Sequence, residues 1–164
     1  MELNQLILNT KIISVHGDRD IDVKEICSDS RRVEPGFLFV AVAGICTDGH
    51  DYISKAIEKG ATVVVYDKAM IEEYFSRVTY IQVEDSAKAL AEIAAAWYDY
   101  PSTELQLVGI TGTNGKTTVA TLLYNTVRKM GFAAGLLSTV CNYVNDEAYP
   151  TTLTTLDAIS LNKY

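Results

Sequence analysis

The strongest constraint on this chain is the run "LVGITGTNGKTT" at residues 107–118, a glycine-rich turn between an apolar segment and an apolar pattern at helical spacing. Gly112 and Gly115 let the backbone curl so that successive N–H groups point inward at an anion. A helix starting directly behind such a turn adds its positive N-terminal end and its unbonded first-turn N–H groups. The segment "LQLVGI" reads as the strand before the turn. Val119, Leu122, Leu123, Thr126, Val127 and Met130 then share one helical face that stops at Gly131. Strand, glycine loop and helix, in that order, are what a phosphate loop requires.

In this loop Gly112, Thr113, Asn114, Gly115, Lys116, Thr117 and Thr118 are the expected ATP-binding residues. Lys116 reaches the β- and γ-phosphates and is the candidate catalytic residue. The Thr117 hydroxyl is the candidate magnesium ligand, and Thr118 adds a donor. The loop is a variant: the common pattern has glycine where Ile110 stands, and here the glycines are Gly109 and Gly112. No Asn-Lys-x-Asp segment follows to read guanine, which favours ATP over GTP.

The rest of the chain narrows the partners. A formal charge of -7 opposes binding to nucleic acid, which needs a clustered basic surface. Cys27, Cys46 and Cys141 are odd in number and widely spaced, a pattern of free thiols rather than disulfides or a zinc site. No signal peptide or membrane-length apolar run is present, so the expected location is the cytoplasm.

Short apolar runs "FLFVAV", "TVVVY" and "TYIQV" read as strands. A helix lies between the first two, with Tyr52, Ile53, Ala56 and Ile57 at helical spacing and Gly60 as its stop. A second, capped by Asp85 or Ser86, carries Leu90, Ile93, Ala94 and Trp97 on one face and ends before Pro101. The chain is therefore expected to hold a small N-terminal α/β domain at 1–101. The beginning of a P-loop, Rossmann-like parallel-sheet domain follows at 102–164, with "AAGLLSTV" as the next strand of a parallel βαβ unit. His50 and His16 read as turn residues, and Tyr98 and Tyr100 as packing groups that could also stack on a base.

The loop "TGTNGKTT" resembles the ATP loop of the Mur ligases, which add amino acids to the UDP-linked peptidoglycan precursor, and of the related folylpolyglutamate synthetases. The first domain is similar to the N-terminal domain of Mur ligases through Asp-Ser-Arg, Pro-Gly-x-Leu-Phe-Val-Ala, Asp-Gly-His and Gly-Ala, all between Ser28 and Tyr66. Downstream, "PTTLTTLDAISLN" looks like the segment of the tripeptide-forming branch that contacts the muramoyl group. Leu153 stands there in place of the usual polar residue and Leu156 in place of proline. The dipeptide-adding branch would show Asn-Asn-Glu instead.

The resemblance implies that Ser30, assisted by Ser28, hydrogen-bonds the uridine diphosphate. It implies that Ile45, Cys46 and Thr47 line the uracil pocket, and that Leu153, Thr154 and Thr155 contact the muramoyl peptide. It further implies an ATP- and magnesium-dependent ligase joining a diamino acid, meso-diaminopimelate or L-lysine, to UDP-N-acetylmuramoyl-L-alanyl-D-glutamate through an acyl phosphate, in a parent enzyme that is monomeric. The stretch after Lys116 is too short for a doubly wound sheet, so the expectation is an N-terminal portion inactive by itself. The alternatives are a dipeptide-adding Mur ligase, a folylpolyglutamate synthetase, or a non-catalytic nucleotide-binding module.

Overall fold

Val63, Val64, Val65 and Tyr66 are all buried, and consecutive apolar side chains can be buried together when a strand is covered on both faces. The structure is a computed structural model that describes residues 1–44, 47–68, 75–150 and 156–164. It places this strand, β4 (Val63–Tyr66), inside a five-stranded sheet. Its other members are β1 (Ile12–His16), β2 (Glu25–Cys27), β3 (Phe37–Val40) and β5 (Thr79–Val83), in the order β1-β5-β4-β3-β2. Strands β2, β3, β4 and β5 are parallel in register, and β1 runs antiparallel to β5 along the edge.

Side chains alternate between the two faces of the sheet. Phe39, Val64, Tyr66 and Tyr80 join Ala56 and Ile57 of helix α2 (Ile53–Glu58) in one apolar cluster. Their neighbours Leu38, Val40, Val63, Val65 and Ile81 are fully buried on the opposite face. There β4 meets α3 (Ser86–Trp97), which in turn packs on the short α1 (Leu3–Leu6). Helix α3 starts at Asp85, whose carboxylate accepts the Lys88 N–H at 2.9 Å. It ends in a paired reverse turn: Tyr100 N–H bonds to Ala95 O at 2.7 Å and Asp99 N–H to Ala96 O at 3.1 Å. Asp99 and Tyr100 hold the left-handed conformation this closure needs, at φ 61° and 53°, and the Tyr100 hydroxyl accepts a hydrogen bond from Asn9 Nδ2 at 2.8 Å.

The chain divides into two units, Met1–Pro101 and Ser102–Tyr164. The second unit contains α4 (Lys116–Lys129), the short strand β6 (Gly135–Leu136), the hairpin of β7 (Cys141–Val144) and β8 (Glu147–Pro150), and α5 (Ala158–Lys163). Helix α4 stops at Gly131, where Phe132 N–H bonds to Val127 O and Gly131 N–H to Arg128 O. Arg128 ties the helix to the hairpin turn through Asp146 at 2.5 Å. The hydroxyl of Tyr124 donates to the Asn145 carbonyl, and its ring lies 5.5 Å from that of Tyr143.

Two sequence expectations fail here. Residues 105–110 form no strand, and "AAGLLSTV" contributes only β6, which pairs antiparallel with β7 instead of closing a parallel βαβ unit. A strand exists only with a partner for its backbone ladder, and among the described residues no segment pairs with 105–110. Leu105, Leu107 and Val108 are accordingly exposed, as are Val119 and Leu122 of α4.

Candidate functional sites: the sheet end and the glycine loop

Open α/β sheets take ligands beyond the carboxyl ends of their strands. In the first unit, the segments after β2, β3 and β4 all emerge at that end, from adjacent strands. Ser28 and Ser30 follow β2. Asp29 between them organises the turn: its carboxylate accepts the Arg31 backbone N–H at 2.9 Å and grips the Arg31 guanidinium through Nε and Nη2, the latter at 2.7 Å. This grip holds the Asp29 carboxyl down at about 2. From α2, Lys59 Nζ donates to Arg31 O at 2.5 Å. Ser28 is half-buried, and Ser30 is 7% exposed. Burial pushes the Cys27 thiol up, away from the reactive thiolate form.

The segment after β3 doubles back on itself. Gly44 N–H bonds to Thr47 O at 2.9 Å, Ala43 pairs with Asp48 across the base, and Gly49 N–H bonds to Val42 O at 2.9 Å. A side chain at position 49 would bring its Cβ within 2.7 Å of the Val42 backbone, so only glycine permits this approach. Thr47 is exposed at the loop; Ile45 and Cys46, like Leu153, Thr154 and Thr155, lie outside the described residues. None of Ser28, Ser30 or Thr47 lines the small cavity of about 30 Å³ found between Thr10, Lys11, Glu84 and Lys88.

His50 is the residue that reading the sequence undervalues. It is no mere turn former: its side chain is 8% exposed and sits between two carboxylates, Nδ1 at 2.6 Å from Asp48 Oδ1 and Nε2 at 3.0 Å from Asp67 Oδ1. The Asp48 carboxyl is pulled well below its ordinary range, first by the Lys68 ammonium and then by the His50 N–H and ring. Asp67 is raised by burial but lowered more by hydrogen bonds from the Ser86 N–H and hydroxyl, leaving it net below the usual range. The Asp-x-His spacing was visible; Asp67, a fold-level neighbour, was not.

In the second unit the glycine loop lies open. Gly115 caps α4 in the left-handed conformation, φ 79°, with no side-chain capping bond, and Gly112 has φ 149°. Thr113, Asn114, Lys116, Thr117 and Thr118 are exposed. The first N–H bonded within the helix is that of Val119, to Gly115 O at 2.9 Å, so the N–H groups of residues 116–118 stay available to an anion. Lys116 folds over the loop, Nζ donating to Gly112 O at 2.6 Å and reaching Thr113 O at 3.4 Å. Among the described residues no group of three His, Cys, Asp or Glu gathers to hold a metal. A magnesium site here would thus take its ligands from phosphate oxygens, water and the Thr117 hydroxyl, a donor set that suits this hard cation.

Comparison with known proteins agrees with both halves. Residues 22–98 match the model described as Mur ligase family, catalytic domain, and residues 110–164 match the Mur ligase middle domain. The chain belongs to the Mur ligase family. It is 53% identical over 163 residues to the UDP-N-acetylmuramoyl-L-alanyl-D-glutamate--2,6-diaminopimelate ligase of Cytophaga hutchinsonii, covering 99% of this chain and 34% of that protein. It is 50% identical to the ligase of the same name from Bacteroides fragilis, covering 99% of this chain and 33% of that protein. A solved structure of a ligase so named superposes over 99% of this chain and 32% of its own, with TM-score 0.74 and 20% identity, a likeness of fold. MurF from Acinetobacter baumannii gives TM-score 0.59 and 25% identity over 80% of this chain and 28% of its own. The chain spans about a third of the length of the curated relatives it matches.

Proposed function

We propose that this chain is the substrate-recognising and ATP-gripping part of a ligase that joins a diamino acid to UDP-N-acetylmuramoyl-L-alanyl-D-glutamate. The observation that carries the proposal is the glycine loop with Lys116 folded across it, in a chain half identical over its whole length to ligases of that name. Those names favour 2,6-diaminopimelate as the incoming amino acid. Residues 1–101 act as the uridine-nucleotide domain and 102–164 begin the ATP domain, with the protein working in the cytoplasm.

A carboxylate is a poor electrophile, and its anion repels the triphosphate that must activate it. Phosphoryl transfer from ATP to the substrate carboxylate gives an acyl phosphate and ADP; the amine then attacks the carbonyl carbon, releasing inorganic phosphate and forming the amide. Lys116 exchanges the Gly112 carbonyl for β- and γ-phosphate oxygens and spreads positive charge over the transferring group. The N–H groups of Thr117 and Thr118 and the α4 dipole add to that field. Gly112, Thr113, Asn114 and Gly115 shape the cradle, and Thr117 would hold magnesium, which when bound neutralises phosphate charge. Ser28, Ser30 and the loop Ile45, Cys46 and Thr47 take the uridine diphosphate, and Leu153, Thr154 and Thr155 the muramoyl peptide.

Calorimetric titration of the chain with UDP-N-acetylmuramoyl-L-alanyl-D-glutamate tests this reading. Saturable binding that weakens at least about tenfold in Ser30→Ala, a lost charge-assisted hydrogen bond, supports it. Mg-ATP binding without any binding of the uridine nucleotide would make the chain a nucleotide-sensing module instead.

A further inference from the structure

We propose that His50 is a positioning residue for the uridine site, a clamp whose ring joins Asp48 to Asp67 and so fixes Gly44 and Thr47 against the carboxyl end of the sheet. This rests on the uridine reading above.

The bonds assign the ring's hydrogens. Asp48 is ionised, with Lys68 as its ion-pair partner, and an ionised carboxylate only accepts. The Nδ1 atom, 2.6 Å away, therefore carries a hydrogen. The Nε2 atom has two options. Protonated, it donates to Asp67 Oδ1 at 3.0 Å; unprotonated, it can only accept the longer bond from the Asp67 N–H at 3.4 Å. The second carboxylate oxygen of Asp67 is already taken by the Ser86 N–H and hydroxyl, at 3.0 and 2.9 Å, so α3 fixes the orientation of the group His50 must meet.

The clamp reaches the ligand loop through Asp48. Asp48 accepts the His50 backbone N–H at 2.9 Å and pairs with Ala43 across the loop base, while the close approach of Gly49 to Val42 leaves the base no slack. A shift of Asp48 moves Thr47, its chain neighbour, and with it the Gly44 N–H bonded to Thr47 O. The ionisable groups on the elements that meet here are Asp48 and Asp51 of the turn, Tyr66, Asp67 and Lys68 at the end of β4, and Asp85 before α3. With a hydrogen on Nδ1 alone, Asp48 keeps its ring donor and Asp67 Oδ1 loses its own. With the ring protonated, both are paired.

The test uses the full chain, with UDP-N-acetylmuramoyl-L-alanyl-D-glutamate and Mg-ATP titrated separately and the Gly44 amide, bonded to Thr47 O, followed by NMR. His50→Ala is expected to weaken the uridine ligand about tenfold, the scale of one lost buried hydrogen bond, with Mg-ATP affinity unchanged. His50→Arg, a charged fork that can donate to both carboxylates, is expected to recover most of that affinity. Unchanged uridine affinity in a folded His50→Ala protein overturns the proposal. If neither variant folds, Asp67→Ala, which removes the carboxylate that Nε2 meets at 3.0 Å, decides: weaker uridine binding with Mg-ATP binding unchanged supports the clamp, and unchanged uridine binding refutes it. If the unmodified chain binds no uridine nucleotide, the uridine reading has failed. The clamp is then judged by amide exchange at Gly44, faster in His50→Ala if it exists and the same if it does not.

Discussion

Lys116 and Gly112 are joined across the mouth of the glycine loop, ammonium to carbonyl, at 2.6 Å. Both residues are exposed, and the bond is one that a phosphate oxygen can replace with a stronger, doubly charged partner. Lys116→Ala is therefore expected to lower Mg-ATP affinity at least about tenfold, while thermal unfolding shifts by less than about 0.5 kcal/mol because the site is exposed. Titration with a fluorescent ATP analogue beside a melting curve separates the two effects.

Gly115 offers a different failure. A methyl group there would meet nothing within 4 Å, so space is no obstacle, but its φ of 79° is unfavourable for any residue with a Cβ. Gly115→Ala should cost about 1 kcal/mol in backbone strain and turn the first N–H groups of α4 out of line. The expected result is weaker ATP binding with Lys116 still in place, measured by the same titration.

The Asp29–Arg31 pair gives the acid limb of stability. Asp29 titrates at about 2 in the folded chain, below the ordinary carboxylate range. A depressed folded value means that its stabilisation is present above the unfolded carboxylate range and disappears as pH falls toward about 2. Asp29→Asn should thus be less stable than the unmodified chain at neutral pH, with the two converging in acid. Urea unfolding at a series of pH values reads the difference directly.

Asp99 closes α3 at φ 61°, where glycine is at ease and aspartate is not. The two bonds of this turn, from the Asp99 and Tyr100 N–H groups, are backbone bonds and survive a change of side chain at Asp99. Asp99→Gly is expected to stabilise the first unit by about 1 kcal/mol, the strain of a left-handed residue less the added chain entropy of glycine. Denaturant midpoints measure it.

The elements readable in advance were those whose signal is local. Gly60 and Gly131 stop helices, Asp85 caps α3, and the runs around Phe39, Val64 and Ile81 are buried on both sheet faces, so their composition alone marks them as strands. Strand β2, three residues long, is too short to show a period, and β1 is a strand only because β5 pairs with it across the whole unit. The β7–β8 hairpin depends on Asn145 in the left-handed conformation, φ 51°, a signal carried by one residue. Residues 105–110 erred the other way: an apolar pattern fit for a strand stays unpaired where no ladder partner is described. At the candidate sites the glycine loop was legible because it is contiguous. The His50 cluster was not, since Asp67 and Ser86 reach it only through the parallel order of β3, β4 and β5.

Amide NMR mapping of the 164-residue chain tests the two-ligand assignment most directly. UDP-N-acetylmuramoyl-L-alanyl-D-glutamate should shift the signals of Ser28, Ser30, Gly44 and Thr47, and Mg-ATP those of residues 112–118, each set leaving the other in place. Shifts from both ligands on a single common set of residues, or none from the uridine nucleotide at saturating concentration, would contradict it.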